Sequence, residues 1–171
     1  TYEAEQRHAE IIIRDLGLRK GKKTVVTPGI KAETEGDDEM ELDNRNATKY
    51  RAIVARGNYL AQDRSDIQFA TKELSRAMAR PTNGDWKRLK RLGRYLKGRP
   101  RAVTEFKYQQ NEGRLAVWTD TDFAGCRRTR KSTSGGVAMW GNCVLKTWSS
   151  TQAVVALSSG EAEYYGLVKG G

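Results

Sequence analysis

Histidine is almost missing from this chain, and cysteine, proline and long apolar runs are scarce. A single histidine, His8, among 171 residues excludes a His-based catalytic triad and a histidine-rich metal site, and His8 itself reads as a surface residue on a helix. Two cysteines, Cys126 and Cys143, have no Cys-x-x-Cys spacing. They argue against a disulfide framework or a zinc site and predict a reducing, intracellular setting. No apolar run approaches the roughly 20 residues that span a bilayer. The start, Thr1-Tyr-Glu-Ala-Glu-Gln-Arg-His8, has neither the apolar stretch of a signal peptide nor an initiator methionine, so it reads as a piece cut from a longer chain.

What the chain has is positive charge, +10 overall. Seven of its 21 acids lie between Glu33 and Asp43, which leaves the rest more basic still. Such a surface attracts phosphate backbones through charge neutralisation and counterion release. The plainer reading is generic solubility.

Apolar spacing predicts an α+β chain. Glu3 to Leu16 reads as a short amphipathic helix, and residues 21–29 as a basic turn. Residues 31–46 are acidic, poor in large apolar groups, and read as a mobile surface loop. Helical spacing resumes over Thr48–Leu60 and Asp66–Met78. After Pro81-Thr-Asn-Gly84, Asp85 can cap a helix with Trp86, Leu89, Leu92 and Leu96 along one stripe. Lys87, Arg88, Lys90, Arg91, Arg94 and Lys97 fill its other faces, with no acid between Trp86 and Arg101 to pair with them. Beyond Arg101 strands are expected at Val103–Tyr108, Leu115–Thr119, Ser134–Trp140 and Cys143–Trp148. Residues 109–113 form a turn, and Gly141-Asn142 makes a hairpin. Ser158 and Glu161 form a capping box for a last helix. The boundary falls near 108–113, giving a helical part at 1–108 and a three-stranded antiparallel meander plus helix at 109–171.

Two groups carry chemistry. Asp120 ends an apolar strand, Asp122 follows two residues on, and Glu161 and Glu163 begin a helix. Carboxylates on rigid elements hold a hard cation such as Mg2+. Taken singly, each is better read as a turn Asp or a capping Glu; the set, following a basic segment, favours the metal site. The basic helix is read either as a nucleic-acid backbone contact or as a solvated face; phosphate contacts of this kind position a duplex without reading its sequence. The loop Gly125-Cys-Arg-Arg-Thr-Arg-Lys-Ser132 has Arg130 where a phosphate loop needs glycine. It is no nucleotide site, but Arg128 and Lys131 are available to phosphates.

These motifs, in this order, resemble the Pol polyprotein of copia-type LTR retrotransposons, from the end of reverse transcriptase into ribonuclease H. Thr48-Lys-Tyr-Arg-Ala-Ile-Val54 and Asn58-Tyr-Leu-Ala61 are similar to the family's tyrosine-arginine helix. Asp63-Arg-Ser-Asp-Ile67 and Glu73-Leu-Ser-Arg76 resemble its RPDI and LSR segments, with Ser65 in place of proline. Asp85-Trp86 and Arg91-Leu-Gly-Arg-Tyr-Leu-Lys-Gly98 resemble HW and RYLKG, with Asp85 in place of histidine. Thr119-Asp-Thr-Asp-Phe-Ala-Gly125 is similar to SDADWAG. Arg130-Lys-Ser-Thr-Ser-Gly135 and Ala156-Leu-Ser-Ser-Gly-Glu-Ala-Glu-Tyr164 match almost letter for letter.

The resemblance implies a helical reverse-transcriptase thumb or connection segment over 1–108, then the amino-terminal half of a ribonuclease H domain over 109–171. It implies a site that cuts RNA in RNA–DNA hybrids with two Mg2+ ions. Asp120 matches the first acid, Glu163 the helix acid, Glu161 is mainly a cap, and Asp122 is a weaker ligand. Lys87, Arg88, Lys90, Arg91, Arg94, Arg128 and Lys131 would contact the hybrid. The family's remaining acids lie beyond the helix of Glu163, its Tyr-x-Asp-Asp loop lies upstream, and the fourth and fifth strands are missing. The strand of Asp120 should therefore have an unpaired edge. The implied partners are nucleic acid and the rest of Pol, with no membrane, in a cytoplasmic particle or the nucleus. Two functions follow: a segment of an enzyme whose intact form makes DNA and degrades hybrid RNA, or a truncated, non-catalytic nucleic-acid-binding module.

Overall fold

The computed structural model describes residues 1–18, 23–30, 39–110, 114–126 and 128–171. Residues 31–38 of the expected acidic loop, and parts of the turns expected at 21–29 and 109–113, lie outside them. The architecture is α+β: five α-helices and a three-stranded antiparallel sheet, with one two-stranded pair, among the described residues. The chain divides into two compact units, Glu3–Val103 and Thr104–Gly171 with Thr1–Tyr2. No described helix is long and apolar enough to cross a membrane.

The first unit is helical, with α1 at Gln6–Asp15, α2 at Asn44–Leu60, α3 at Gln68–Arg76 and α4 at Asn83–Gly98. Ile12, Leu18, Tyr50, Ile53, Val54, Ile67, Leu89, Leu92 and Leu96 are fully buried in one cluster, and Trp86 packs half-buried against it. Helix α2 begins four residues before its apolar spacing does, because the Asp43 carboxylate accepts the Asn46 N–H at 2.7 Å. An N-cap of this kind contributes about 1 kcal/mol. It turns residues 44–46, expected in the acidic loop, into the helix's first turn.

Asp85 does not cap α4 as expected. Thr82 is the cap, and Asp85 stands three residues on, its carboxylate accepting the Thr82 N–H at 3.0 Å in a reciprocal box. The preceding residues Met40–Leu42 run alongside, with Leu42 N–H on Pro81 O at 2.8 Å and Asn83 N–H on Met40 O at 2.9 Å. Arg64 is buried and held by a fork: Nε and Nη2 donate to Asp66 at 2.9 and 2.8 Å, and Nη2 also reaches Arg99 O at 3.1 Å. Tyr95 OH completes the Asp66 shell at 2.7 Å. A buried guanidinium is tolerated only with such paired, hydrogen-bonded compensation.

Strand β1 (Tyr2–Glu3) pairs with β2 (Val103–Thr104). The strand expected over Val103–Tyr108 stops there, because its partner supplies only two residues, and Tyr108 is 96% exposed.

The second unit contains β3 (Leu115–Thr121), β4 (Thr133–Trp140), β5 (Cys143–Thr151) and α5 (Ser159–Gly170). The order β3-β4-β5 leaves β3 at an edge, as expected for the strand carrying Asp120. Gly141, at φ +54°, makes the β4–β5 turn in a conformation that suits glycine. Gln109 clips that turn, Nε2 donating to Trp140 O and Oε1 accepting Asn142 N–H at 2.9 and 2.8 Å. Helix α5 lies on the sheet through Ala162 and Gly166; a Cβ on Gly166 would collide with Thr121 Oγ1. The layer beneath is polar. Thr121, Ser132, Ser134 and Gln152 are buried there, whereas Ala156 and Ala162 are this unit's buried apolar side chains among the described residues.

Candidate functional site

The four acids at the β3 end and the α5 start separate into two kinds. Asp122 Oδ1 accepts the Thr133 N–H at 2.5 Å while its own N–H donates to Thr133 O, so it braces the loop between β3 and β4. Glu161 Oε2 accepts the Leu157 N–H at 2.7 Å, and its Oε1 accepts from Tyr165 OH at 3.1 Å. That bond raises the Tyr165 phenol's pKa, because it favours the protonated hydroxyl next to a carboxylate. The Ser158 hydroxyl accepts the Glu161 N–H at 3.1 Å. The expected capping box is thus displaced by one residue: Glu161 reaches Leu157 rather than the N-cap backbone. Asp122 and Glu161 are structural ties.

Asp120 and Glu163 are different. Both are exposed, and neither carboxylate has a hydrogen bond or ion pair among the described residues. Asp120 sits opposite Gly135 in the ladder. Its neighbours Thr119 and Thr121 lie against Gly170 and Gly166 of α5. Alternation along a strand turns Asp120 to the other sheet face, the face of Trp118, which is 66% exposed. On α5, Ala162 faces the sheet and Glu163 is one position round from it.

Under α5 lies a bracket of buried amide and hydroxyl groups. Gln152 Nε2 donates to Ser134 Oγ at 2.9 Å and to Ala162 O at 2.8 Å. Ser134 is the ladder partner of Thr121, next to Asp120, and Ala162 precedes Glu163. Gln152 therefore ties the helix turn of one acid to the strand pair of the other. It was missed from the sequence, where only a polar residue following an apolar strand signals it.

Carboxylate oxygens suit Mg2+, an ion that demands several oxygens in octahedral array. Among the described residues no three His, Cys, Asp or Glu side chains gather where they could hold a metal. Asp122 is already committed to Thr133. The residues present do not make a magnesium site by themselves.

The basic residues also divide. Arg88 Nη1 pairs with Asp85 at 2.8 Å, so α4 does have an acid within reach, one turn back on the same face. Arg91 Nη2 donates to Thr27 Oγ1 at 2.8 Å, and the Nε atoms of Arg91 and Arg94 are buried without partners. Lys87 is exposed. Lys90 stands over the Trp86 ring at 5.8 Å from its centroid. Lys49 of α2, which sequence reading did not single out, approaches the same ring at 6.0 Å. The available signal was the lack of an acid three or four residues either side of Lys49. In the other unit Arg128 is exposed, whereas Lys131 Nζ donates to Ala153 O at 2.5 Å and holds two loops together.

No protein-family model matches this chain, and no solved structure matches it. Curated relatives do. It is 31% identical over 167 residues, 96% of its length, to an uncharacterised mitochondrial protein of Arabidopsis thaliana, of which it covers 67%. It is 38% identical over 117 residues to the retrovirus-related Pol polyprotein from transposon RE2 of Arabidopsis thaliana. That match takes in 68% of this chain and only 8% of the polyprotein's length. A secreted RxLR effector protein of Plasmopara viticola is 34% identical over 125 residues, 72% of this chain and 86% of the effector. Similarity over most of this chain to both the mitochondrial protein and transposon polyproteins gives the family: the chain belongs to the retrovirus-related Pol polyproteins of copia-type transposons.

Proposed function

We propose that this chain is a nucleic-acid-binding segment of a Pol whose intact form is a reverse transcriptase with ribonuclease H activity on RNA–DNA hybrids. The helical unit would be the end of the reverse transcriptase and the sheet unit the beginning of ribonuclease H. The observation that carries this reading is the division of the acids. Asp122 and Glu161 hold backbone and hydroxyl groups, while Asp120 and Glu163, the pair singled out by resemblance, are left unspent. Exposed, unpaired carboxylates held on rigid elements contribute nothing to packing and are suited to a ligand role. In the intact polyprotein Asp120 and Glu163 would each hold Mg2+ only with acids supplied from elsewhere in Pol, since Asp120 is turned to the sheet face away from α5. Cys126 and Cys143 form no disulfide among the described residues, which fits the intracellular, reducing setting that is part of this proposal.

Cleavage of a labelled RNA–DNA hybrid tests the reading. This chain should bind hybrid, progressively less tightly as salt rises, and leave it uncut in Mg2+. A longer Pol segment containing it should cut, and lose cleavage with Asp120→Asn or Glu163→Gln. Retained cleavage in both variants would sink the assignment.

A second reading, a stand-alone binding module without catalysis, is favoured by the 86% and 67% coverage of two much shorter relatives. An inactive longer segment that still binds hybrid would select it.

A further inference from the structure

We propose that Lys49, Lys90 and the Trp86 ring form one binding site for backbone phosphates, built jointly by α2 and α4. The proposal rests on the nucleic-acid reading above and names where in the helical unit the backbone sits. Trp86 follows directly on the Thr82–Asp85 box and packs against the apolar cluster, so its ring is fixed from two sides. Two ammonium groups from different helices stand over it, 6.0 and 5.8 Å from the ring centroid. A ring's negative face attracts and orients such cations without neutralising them.

Neither ammonium has a carboxylate partner among the described residues. Asp85, beside Trp86 in sequence, is already engaged by Arg88 and by the Thr82 N–H and hydroxyl. Two like charges brought to one ring repel each other, and an anion placed between or across them relieves the repulsion. With the ring serving the lysines, it does not offer a platform for a stacked base. The site therefore takes phosphate and is indifferent to sequence. Arg88 and Arg91, with partners of their own, are supporting members of the surface rather than its centre.

The test is fluorescence anisotropy of a labelled RNA–DNA hybrid with this chain across a salt series. Each phosphate contact contributes about 0.9 to the slope of log affinity against log salt. Lys49→Gln and Lys90→Gln should each flatten the slope by about that amount, and the double variant should bind roughly 50-fold more weakly near 0.1 M salt. Trp86→Phe keeps a ring and should retain most of the affinity, whereas Trp86→Leu should resemble the double lysine variant. Lys72→Gln, at an ammonium already paired with Glu73, should leave the slope unchanged.

An unchanged slope in the double lysine variant, with the wild type binding normally, overturns this site and leaves the proposed function standing. Failure of the wild type to bind hybrid at low salt overturns both. Should Trp86→Leu not fold, the two surface lysine variants still decide the matter.

Discussion

The carboxylate of Glu161 accepts the backbone N–H of Leu157 at 2.7 Å, and through that bond the last helix is anchored to the loop before it. Glu163, two residues further, is left with no such duty. The alternation predicts opposite mutational behaviour. Glu161→Ala should destabilise the sheet unit by about 0.5–2 kcal/mol, the usual cost of losing a cap, whereas Glu163→Gln should change stability by less than about 0.5 kcal/mol. Urea unfolding followed by circular dichroism measures both, and an equal loss in the two variants would contradict the division.

Gln152 predicts a larger effect. Gln152→Leu leaves the Ala162 carbonyl and the Ser134 hydroxyl short of a donor in a buried layer, at a cost of about 1–3 kcal/mol. Amide hydrogen exchange should show lost protection in the first two turns of α5. Unchanged protection there would mean that the two bonds do not hold the helix.

Gly166→Ala should be destabilising by about 1–3 kcal/mol, because the new methyl meets Thr121 Oγ1. Thr121→Ala removes that oxygen, so the double variant should recover much of the loss, a non-additivity expected of touching residues. Simple addition of the two losses in thermal melts would argue against this contact.

The Arg64–Asp66–Tyr95 network gives the helical unit an acid-sensitive tie. Burial pushes the Asp66 carboxyl upward, but hydrogen bonds from Arg64 and Tyr95 outweigh it and hold the group below its ordinary 3.8. The stabilisation is therefore complete above the ordinary carboxylate value and is lost as pH falls through the lowered one. Asp66→Asn should weaken the unit at neutral pH and abolish that part of its acid response. Arg64→Met, which strands a partly buried carboxylate, should cost about 3–5 kcal/mol. Both are read from denaturant midpoints across pH.

Local pattern carried much of the fold. Leu89, Leu92 and Leu96 announced the buried face of α4, because a helical period is written over a few turns, and Gly141-Asn142 announced the hairpin because a turn of that type needs those residues. The unused state of Asp120 and Glu163 could not be read the same way. It depends on Thr133 and Leu157 taking up the other two acids, and those partnerships are made by folding. Gln152 bonds to residues 18 and 10 positions away, and Lys49 meets Trp86 only because α2 and α4 pack together. The strand expected to Tyr108 failed for a similar reason: alternation records a preference, while a ladder requires a partner of matching length.

Strand β3, seven residues long, ends the sheet, so the alternate residues whose main chain faces outward present donors and acceptors that no described strand takes up. That row is a template, and in solution the nearest chain able to use it is another copy of this protein. Mutual repulsion of molecules carrying +10 keeps such copies apart at low ionic strength. Salt shortens the reach of that repulsion. The salt that should weaken the proposed nucleic-acid binding should therefore also promote edge-to-edge pairing, visible as light scattering that rises with salt and falls when a lysine is placed at Val117.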